Sequence, residues 1–209
     1  MDALELVDFC SEVLPEARTD PMRLIDRWIG EASRTGLPNP NSMVLATVGA
    51  DGAPDARLVL LKAVEGRSLV FFTNLESKKA LDLAVNPSAA LVFHFASLER
   101  QIRVKGRVDP VNRLDVDSYF RTRPRGSQLG AWASAQSRPL RSRQELADRI
   151  AELEVQYAGR EVPAPSHWGG YRLIVSDLEA WVGRADRLHD RFLFRLDAGD
   201  AIRAQRLSP

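Results

Sequence analysis

The stretch Ser42–Val64, SMVLATVGADGAPDARLVLLKAV, sets how the rest of the chain is read. Met43–Val48 reads as a buried strand. Asp51-Gly52 is a hairpin signal, and Arg57–Val64 is the return strand. Glu65-Gly66 then turns the chain into a further strand, Leu69–Thr73. Strands arriving in hairpin order, with helices inserted between them, do not match the alternating strand–helix pattern of a doubly wound parallel sheet. A small antiparallel barrel with peripheral helices, mainly β in class, fits better.

The flanking segments agree. Asp20-Pro21 starts a helix, with Asp as cap and Pro in the first turn; Leu24, Ile25, Trp28 and Ile29 recur at helical spacing. TGLPNPN (Thr35–Asn41) ends it. Ser77 opens a short helix that Asn86-Pro87 stops. Ala89–Phe95 is a strand. Arg100–Val108 alternates, with Gln101, Arg103, Lys105 and Arg107 on one face and Ile102, Val104 and Gly106 on the other. Arg113–Arg121 is helical. Thr122–Arg141 shows no periodicity and reads as a long loop, a length uncommon unless it binds something. Ser142 with Glu145 is a capping box opening a helix to Tyr157. Tyr171–Val175, Arg191–Arg195 and Ile202–Leu207 close the chain as short strands. Residues 1–19 read as a loose arm and residues 20–209 as one domain.

The totals narrow the class. With 29 basic and 28 acidic side chains the net charge is +1, without the basic excess usual in nucleic-acid proteins. The single cysteine, Cys10, cannot form an internal disulfide, which favours a reducing, cytoplasmic setting. The opening MDALELVDFC lacks a basic n-region and a long apolar run, so no signal peptide is expected. No stretch approaches the roughly 20 apolar residues of a membrane span. The three histidines and one cysteine offer no metal-ligand spacing. A Gly-rich dinucleotide fingerprint and a phosphate loop are both missing.

The residues suited to chemistry are mostly cations. Arg57 and Lys62, five apart on one strand, fall on opposite faces unless a bulge intervenes. Lys78 and Lys79 occupy a first helical turn, where cations oppose the helix dipole; a phosphate docked on the free N–H groups would reconcile this. Tyr119 and Arg123 are four apart, and Ser127 follows; a guanidinium with neutral donors suits a phosphate. Gln101, Gln136 and Ser137 are polar groups nearby. At the end of the chain, Trp181 precedes Arg187–Arg191, RLHDR, in which arginines flank His189 and favour its neutral form. Each cluster also reads as solvated surface charge. Together they suggest binding groups for two phosphates without a strong protein nucleophile, a site that leaves hard chemistry to a cofactor.

In order, the segments DPMRLIDRW, SMVLATV, RLVLLK, VFFTN, SKKA, LERQIRVKG, YFRTRPRGSQLGAWAS, PSHWGGYRL, RLHDRF and the terminal RLSP make the chain from Asp20 to Pro209 resemble the pyridoxamine (pyridoxine) 5′-phosphate oxidases. The resemblance implies a split β-barrel homodimer with FMN in clefts at the subunit interface. It implies FMN contacts from Arg57, Leu58, Val59, Leu60, Leu61, Lys62, Phe72, Thr73, Lys78, Lys79, Gln101, Gln136, Ser137, Trp181 and Arg191. The substrate phosphate would lie against Lys62, Tyr119, Arg123 and Ser127, with Arg187 and His189 at the carbon that is oxidised. The implied reaction converts pyridoxamine or pyridoxine 5′-phosphate to pyridoxal 5′-phosphate while oxygen becomes hydrogen peroxide.

The chain departs from the family pattern in three places. Phe72 stands where tyrosine is common and Lys78 where arginine is common, and the arm VDFCSEVLPEA lacks a basic, tyrosine-bearing segment. Two other readings use the same fold: a phenazine-pathway flavin oxidase acting on a tricyclic acid, or a non-catalytic flavin or pyridoxal-phosphate carrier. Retention of the four phosphate-site residues favours the B6 phosphate, and the Arg187–His189 pair favours an enzyme.

Overall fold

The computed structural model describes Ala17, residues 20–197 and residues 201–209. The expected arm, including Cys10, lies outside the described residues apart from Ala17, which is packed in the main core.

Nine strands form one antiparallel sheet: β1 (Ser42–Val48), β2 (Pro54–Leu60), β3 (Ala63–Glu65), β4 (Ser68–Asn74), β5 (Ser88–Phe95), β6 (Arg100–Pro110), β7 (Trp168–Val182), β8 (Asp190–Leu196) and β9 (Ile202–Leu207). The main path runs β2-β1-β5-β6-β7-β4-β3. Its two ends are consecutive in the chain, separated only by Leu61 and Lys62, so the sheet closes into a barrel. The seam is tied by backbone: Leu61 N–H donates to Asn41 O (2.9 Å) and Lys62 N–H to Val70 O (2.8 Å). The single return strand expected over Arg57–Val64 is therefore two strands. It begins earlier, at Pro54, and breaks at Leu61–Lys62, where the chain exchanges β1 for β4 as its partner.

β7 is far longer than the expected Tyr171–Val175. β6 lines one of its sides throughout; on the other, β4 pairs with its first half and β8 with its second. The fork coincides with a register shift. Val175 faces Gly106 and Asp177 faces Lys105, which leaves Ser176 as the extra residue of a bulge. A Cβ on Gly106 would lie 2.0 Å from the Ile174 carbonyl oxygen, so the strands approach this closely only over a glycine.

The alternation read from β6 is present: Ile102, Val104 and Val108 are buried, whereas Arg103, Lys105 and Arg107 are exposed. The buried face meets Leu45, Leu91 and Phe93, and helix α1 (Arg23–Arg34) covers the core with Leu24, Ile25, Trp28 and Ala32. The Asp20 carboxylate accepts from Met22 N–H (3.0 Å) at the start of that helix.

Helices α2 (Lys78–Val85), α3 (Arg113–Thr122), α4 (Arg125–Ala133) and α5 (Arg143–Gln156) lie around the barrel. The capping box holds: Ser142 Oγ accepts from Glu145 N–H (3.1 Å). Helix α4 corrects the long-loop expectation for Thr122–Arg141. Pro124 presets its start, and Leu129 and Ala133, four apart, are buried on one face. Gly126 and Gly130 dilute the helical pattern, so packing of Leu129 against Phe120 and Trp168 in the second core cluster decides the matter rather than propensity.

Candidate functional site

A cleft of about 620 Å³ opens between the barrel seam and helices α3 and α4. The break at Leu61–Lys62 shapes one wall, placing Leu58, Val59, Leu60 and Lys62 along it. Leu61 itself is packed in the main core, so only its backbone is available here. Phe72 and Thr73 come from the end of β4, Tyr119 from α3, Arg123 from the α3–α4 junction and Ser127 from α4.

One wall is aromatic. Phe72 stacks on Tyr119 (centroids 4.2 Å, planes 12° apart) and on Trp168 (5.2 Å, 2°). Phe72 thus acts here as a packing ring, for which a phenol oxygen is not required. The Arg123 guanidinium lies 4.8 Å from the Trp168 ring centroid. Burial pushes its pKa down, but a guanidinium remains charged. Its Nη1 is buried with no hydrogen-bond partner among the described residues. A buried cationic donor left unpaired is costly, and an anionic ligand in the cleft would satisfy it.

Lys79 is a second cation with no carboxylate partner in the cleft. Its ammonium is buried and donates to Gln136 Oε1 (2.9 Å), Ser77 Oγ (3.1 Å) and Thr73 Oγ1 (3.2 Å), all neutral acceptors. Burial, and then the nearby Arg57 charge, hold it below the usual lysine range. Ser77 supplies no side-chain cap to α2; its hydroxyl donates to Asn74 O (2.7 Å) and turns toward Lys79. Lys78 behaves differently. Its ammonium is half exposed and pairs with Asp82 Oδ1 (2.7 Å), which raises its pKa. The Asp82 carboxylate also accepts from Thr47 Oγ1 (2.9 Å) and lies 3.9 Å from Arg57 Nη2. Burial works against its charge, but these hydrogen bonds and the two cations hold its pKa below the ordinary carboxylate value.

Arg57 also donates to Leu45 O (3.1 Å), Thr47 Oγ1 (2.7 Å) and Asp55 Oδ2 (2.6 Å). Its side chain and that of Lys78 therefore belong to an ion network beside the cleft, outside its lining. The Lys78 backbone N–H donates to Ser137 Oγ (3.2 Å), which brings Ser137 to the same rim.

The remaining candidates form a separate group. Gln101, Trp181 and Arg191 stand directly opposite one another across β6, β7 and β8. The His189 ring lies 4.6 Å from that of Trp181, and its Nδ1 accepts from Arg184 N–H (3.2 Å). A neutral His189 therefore carries its proton on Nε2, the nitrogen left to donate. Asp186 (φ 56°) and Arg187 (φ 62°) both adopt the left-handed conformation, which costs a non-glycine residue about 1–2 kcal/mol each.

The two groups do not meet within one chain. None of the second group lines the cleft: Phe72 and Thr73 pair with Gly170 and Gly169 at the start of β7, whereas Trp181 lies eleven residues beyond Gly170, roughly 36 Å along the strand.

Sequence reasoning missed Trp168, Asp82 and Glu179. The glycines after Trp168 were the available signal: a Cβ on Gly170 would come 2.6 Å from the Phe72 ring. Asp82 and Glu179 look like ordinary surface acids until their partners on other strands and helices are known. No helix among the described residues is long and apolar enough to cross a membrane.

The family model for pyridoxamine 5′-phosphate oxidase matches residues 29–157. The chain belongs to the pyridoxamine 5′-phosphate oxidase family. A second model, the pyridoxine 5′-phosphate oxidase C-terminal dimerisation region, matches residues 168–209, which identifies β7, β8 and β9 as the family's dimer-forming part. The pyridoxine/pyridoxamine 5′-phosphate oxidase of Cupriavidus necator is 55% identical over 190 residues, spanning 91% of this chain and 89% of that protein. That of Trichormus variabilis is 48% identical over 204 residues, spanning 97% and 95%. Among solved structures, PhzG from Burkholderia lata in complex with tetrahydrophenazine-1-carboxylic acid superposes with a TM-score of 0.85 at 28% identity, covering 91% of this chain and 93% of its own.

Proposed function

We propose that this chain is an FMN-dependent oxidase that converts pyridoxamine or pyridoxine 5′-phosphate to pyridoxal 5′-phosphate, with residues 20–209 acting as one unit. The observation that carries the reading is a cleft bearing two cations that no carboxylate pairs, the buried Lys79 and the half-buried Arg123 with its buried Nη1. Two anion seats in one cleft suit a flavin mononucleotide and a phosphorylated substrate held together.

Lys79, Gln136 and Ser137, with the backbone at the start of α2, would hold the FMN phosphate. The seam residues Leu58–Lys62 and the end of β4 at Phe72 and Thr73 would border the flavin. Arg57 and Lys78 would contribute positive potential from the rim. Lys62, Tyr119, Arg123 and Ser127 would bind the substrate phosphate, and the buried Arg123 Nη1 would find its acceptor there. When bound, FMN supplies the hydride acceptor and its reoxidation by oxygen.

The chain's own residues orient the reactants and exclude water from the aromatic wall. Gln101, Trp181, Arg187, His189 and Arg191 would come from the partner subunit, because one chain holds them apart from the cleft. Arg187 would then place the reacting carbon, and His189 would donate from Nε2 to a ring oxygen or phosphate.

The PhzG likeness supports a second reading, a tricyclic aromatic acid as substrate. A carboxylic acid substrate without a phosphate leaves the Lys62–Tyr119–Arg123–Ser127 seat without a role, which favours the first.

Anaerobic mixing separates them. Purified holoprotein is expected to show flavin absorbance that bleaches on adding pyridoxamine 5′-phosphate. A flavin that stays oxidised with that compound, yet bleaches with tetrahydrophenazine-1-carboxylic acid, would overturn the proposal in favour of the second reading.

A further inference from the structure

Glu179 is a buried carboxylate, only 8% exposed, on a strand that otherwise buries apolar groups. It lies two residues before Trp181 and so on the same side of β7. Its two oxygens serve two strands. Oε2 accepts from Arg103 Nη1 (3.1 Å) on β6, and Oε1 accepts from Arg191 Nε (2.9 Å) on β8. Arg191 has a second anchor, since its Nη1 donates to the Ser208 carbonyl (3.0 Å) near the end of the chain. Nη2 is then the one nitrogen of the Arg191 guanidinium with no hydrogen bond among the described residues.

We propose that Glu179 is a positioning residue: together with the Ser208 carbonyl it fixes the Arg191 guanidinium so that Nη2 faces the flavin. This rests on the reading above that Arg191 contacts FMN. The physical case is preorganisation. A free arginine loses much rotamer freedom when it is ordered on a ligand, and a fork already held at Nε and Nη1 has little left to lose.

The two acceptors lie on different elements, β7 and the segment after β9, so they fix the guanidinium plane as well as its position. The task needs a carboxylate. Glu179 faces guanidinium donors on both sides, and an amide would turn an N–H₂ toward one of them. The carboxylate also carries a negative charge between the two guanidinium groups, Arg103 on β6 and Arg191 on β8, that flank β7.

The test is a double-mutant cycle on FMN affinity, read by quenching of flavin fluorescence on titration into apoprotein. Wild type, Glu179→Gln, Arg191→Ala and the double variant are compared. Glu179→Gln is expected to weaken FMN binding roughly tenfold or more, as for a lost charge-assisted hydrogen bond. In the Arg191→Ala background the same change should have almost no effect.

An equal loss in both backgrounds, or no loss in the first, overturns the positioning role. Should Glu179→Gln fail to fold, Glu179→Asp, which keeps the charge but draws it back from Arg191, goes through the same cycle and should give a smaller, still Arg191-dependent loss. Wild-type apoprotein that does not bind FMN at all would instead overturn the functional reading on which the proposal rests.

Discussion

Lys79 is where the residue scale is most exposed to experiment. Its ammonium is buried among the Thr73 and Ser77 hydroxyls and the Gln136 amide oxygen, and burial together with Arg57 depresses its pKa. A depressed lysine pKa means the fold binds fewer protons than the unfolded chain between the two values. This group therefore makes stability rise with pH across that window. An anion docked on Lys79 acts in the opposite sense, favouring the charged form. FMN should accordingly bind apoprotein more weakly as the pH climbs through the lysine transition, and binding should take up protons there. Calorimetric titrations in two buffers of different ionisation enthalpy measure that uptake. Lys79→Met is expected to abolish it and to weaken FMN binding roughly 10- to 100-fold. Proton uptake that persists in the variant would move the titrating group elsewhere. The cations themselves were legible in the sequence, because SKKA places both lysines in a first helical turn. Their different fates were not. Lys78 finds Asp82 one turn along its own helix, whereas Lys79 points among Gln136, Thr73 and Ser77, two of them on other elements.

At the scale of elements, the bulge opposite Gly106 sets where β7 forks between β4 and β8. A methyl group there would meet the Ile174 carbonyl oxygen at 2.0 Å, and a backbone atom can yield only by moving the strand. Gly106→Ala is expected to lower unfolding stability by about 1–3 kcal/mol, the range for overpacking, as measured by the denaturant midpoint. An unchanged midpoint would show that the two strands can slide apart at no cost. The same bulge explains what pattern reading could not supply. Period-two alternation identified β6, but β7 passes Ser176-Asp177 with its register shifted, so the apolar run appears to stop at Val175. Helix α4 was hidden for another reason. Its glycines weaken the local signal, and its burial against Phe120 and Trp168 depends on contacts distant in sequence.

The whole molecule poses the remaining question, because the chain divides its candidate site. Lys62, Lys79, Tyr119 and Arg123 line one cleft, while Trp181, Arg187, His189 and Arg191 stand around the far end of β7, on the family's dimerisation region. Leu58 is 70% exposed at the edge of the cleft, an apolar side chain in a position that a second copy would cover. If each site takes its cleft from one subunit and its arginine–histidine hook from the other, two defective proteins should repair each other. Arg123→Ala disables the cleft and Arg187→Ala the hook, so each homodimer should be nearly inactive with pyridoxamine 5′-phosphate. In a hybrid dimer one site collects both defects and the other collects none. Subunits mixed in equal amounts and allowed to reassort form hybrids in about half of the dimers, so about one quarter of wild-type activity should return. A site built within a single chain would regain nothing on mixing. Separating the hybrid through a tag on one subunit sharpens the contrast, since the purified hybrid should show about half of wild-type activity and bind one substrate phosphate tightly per dimer.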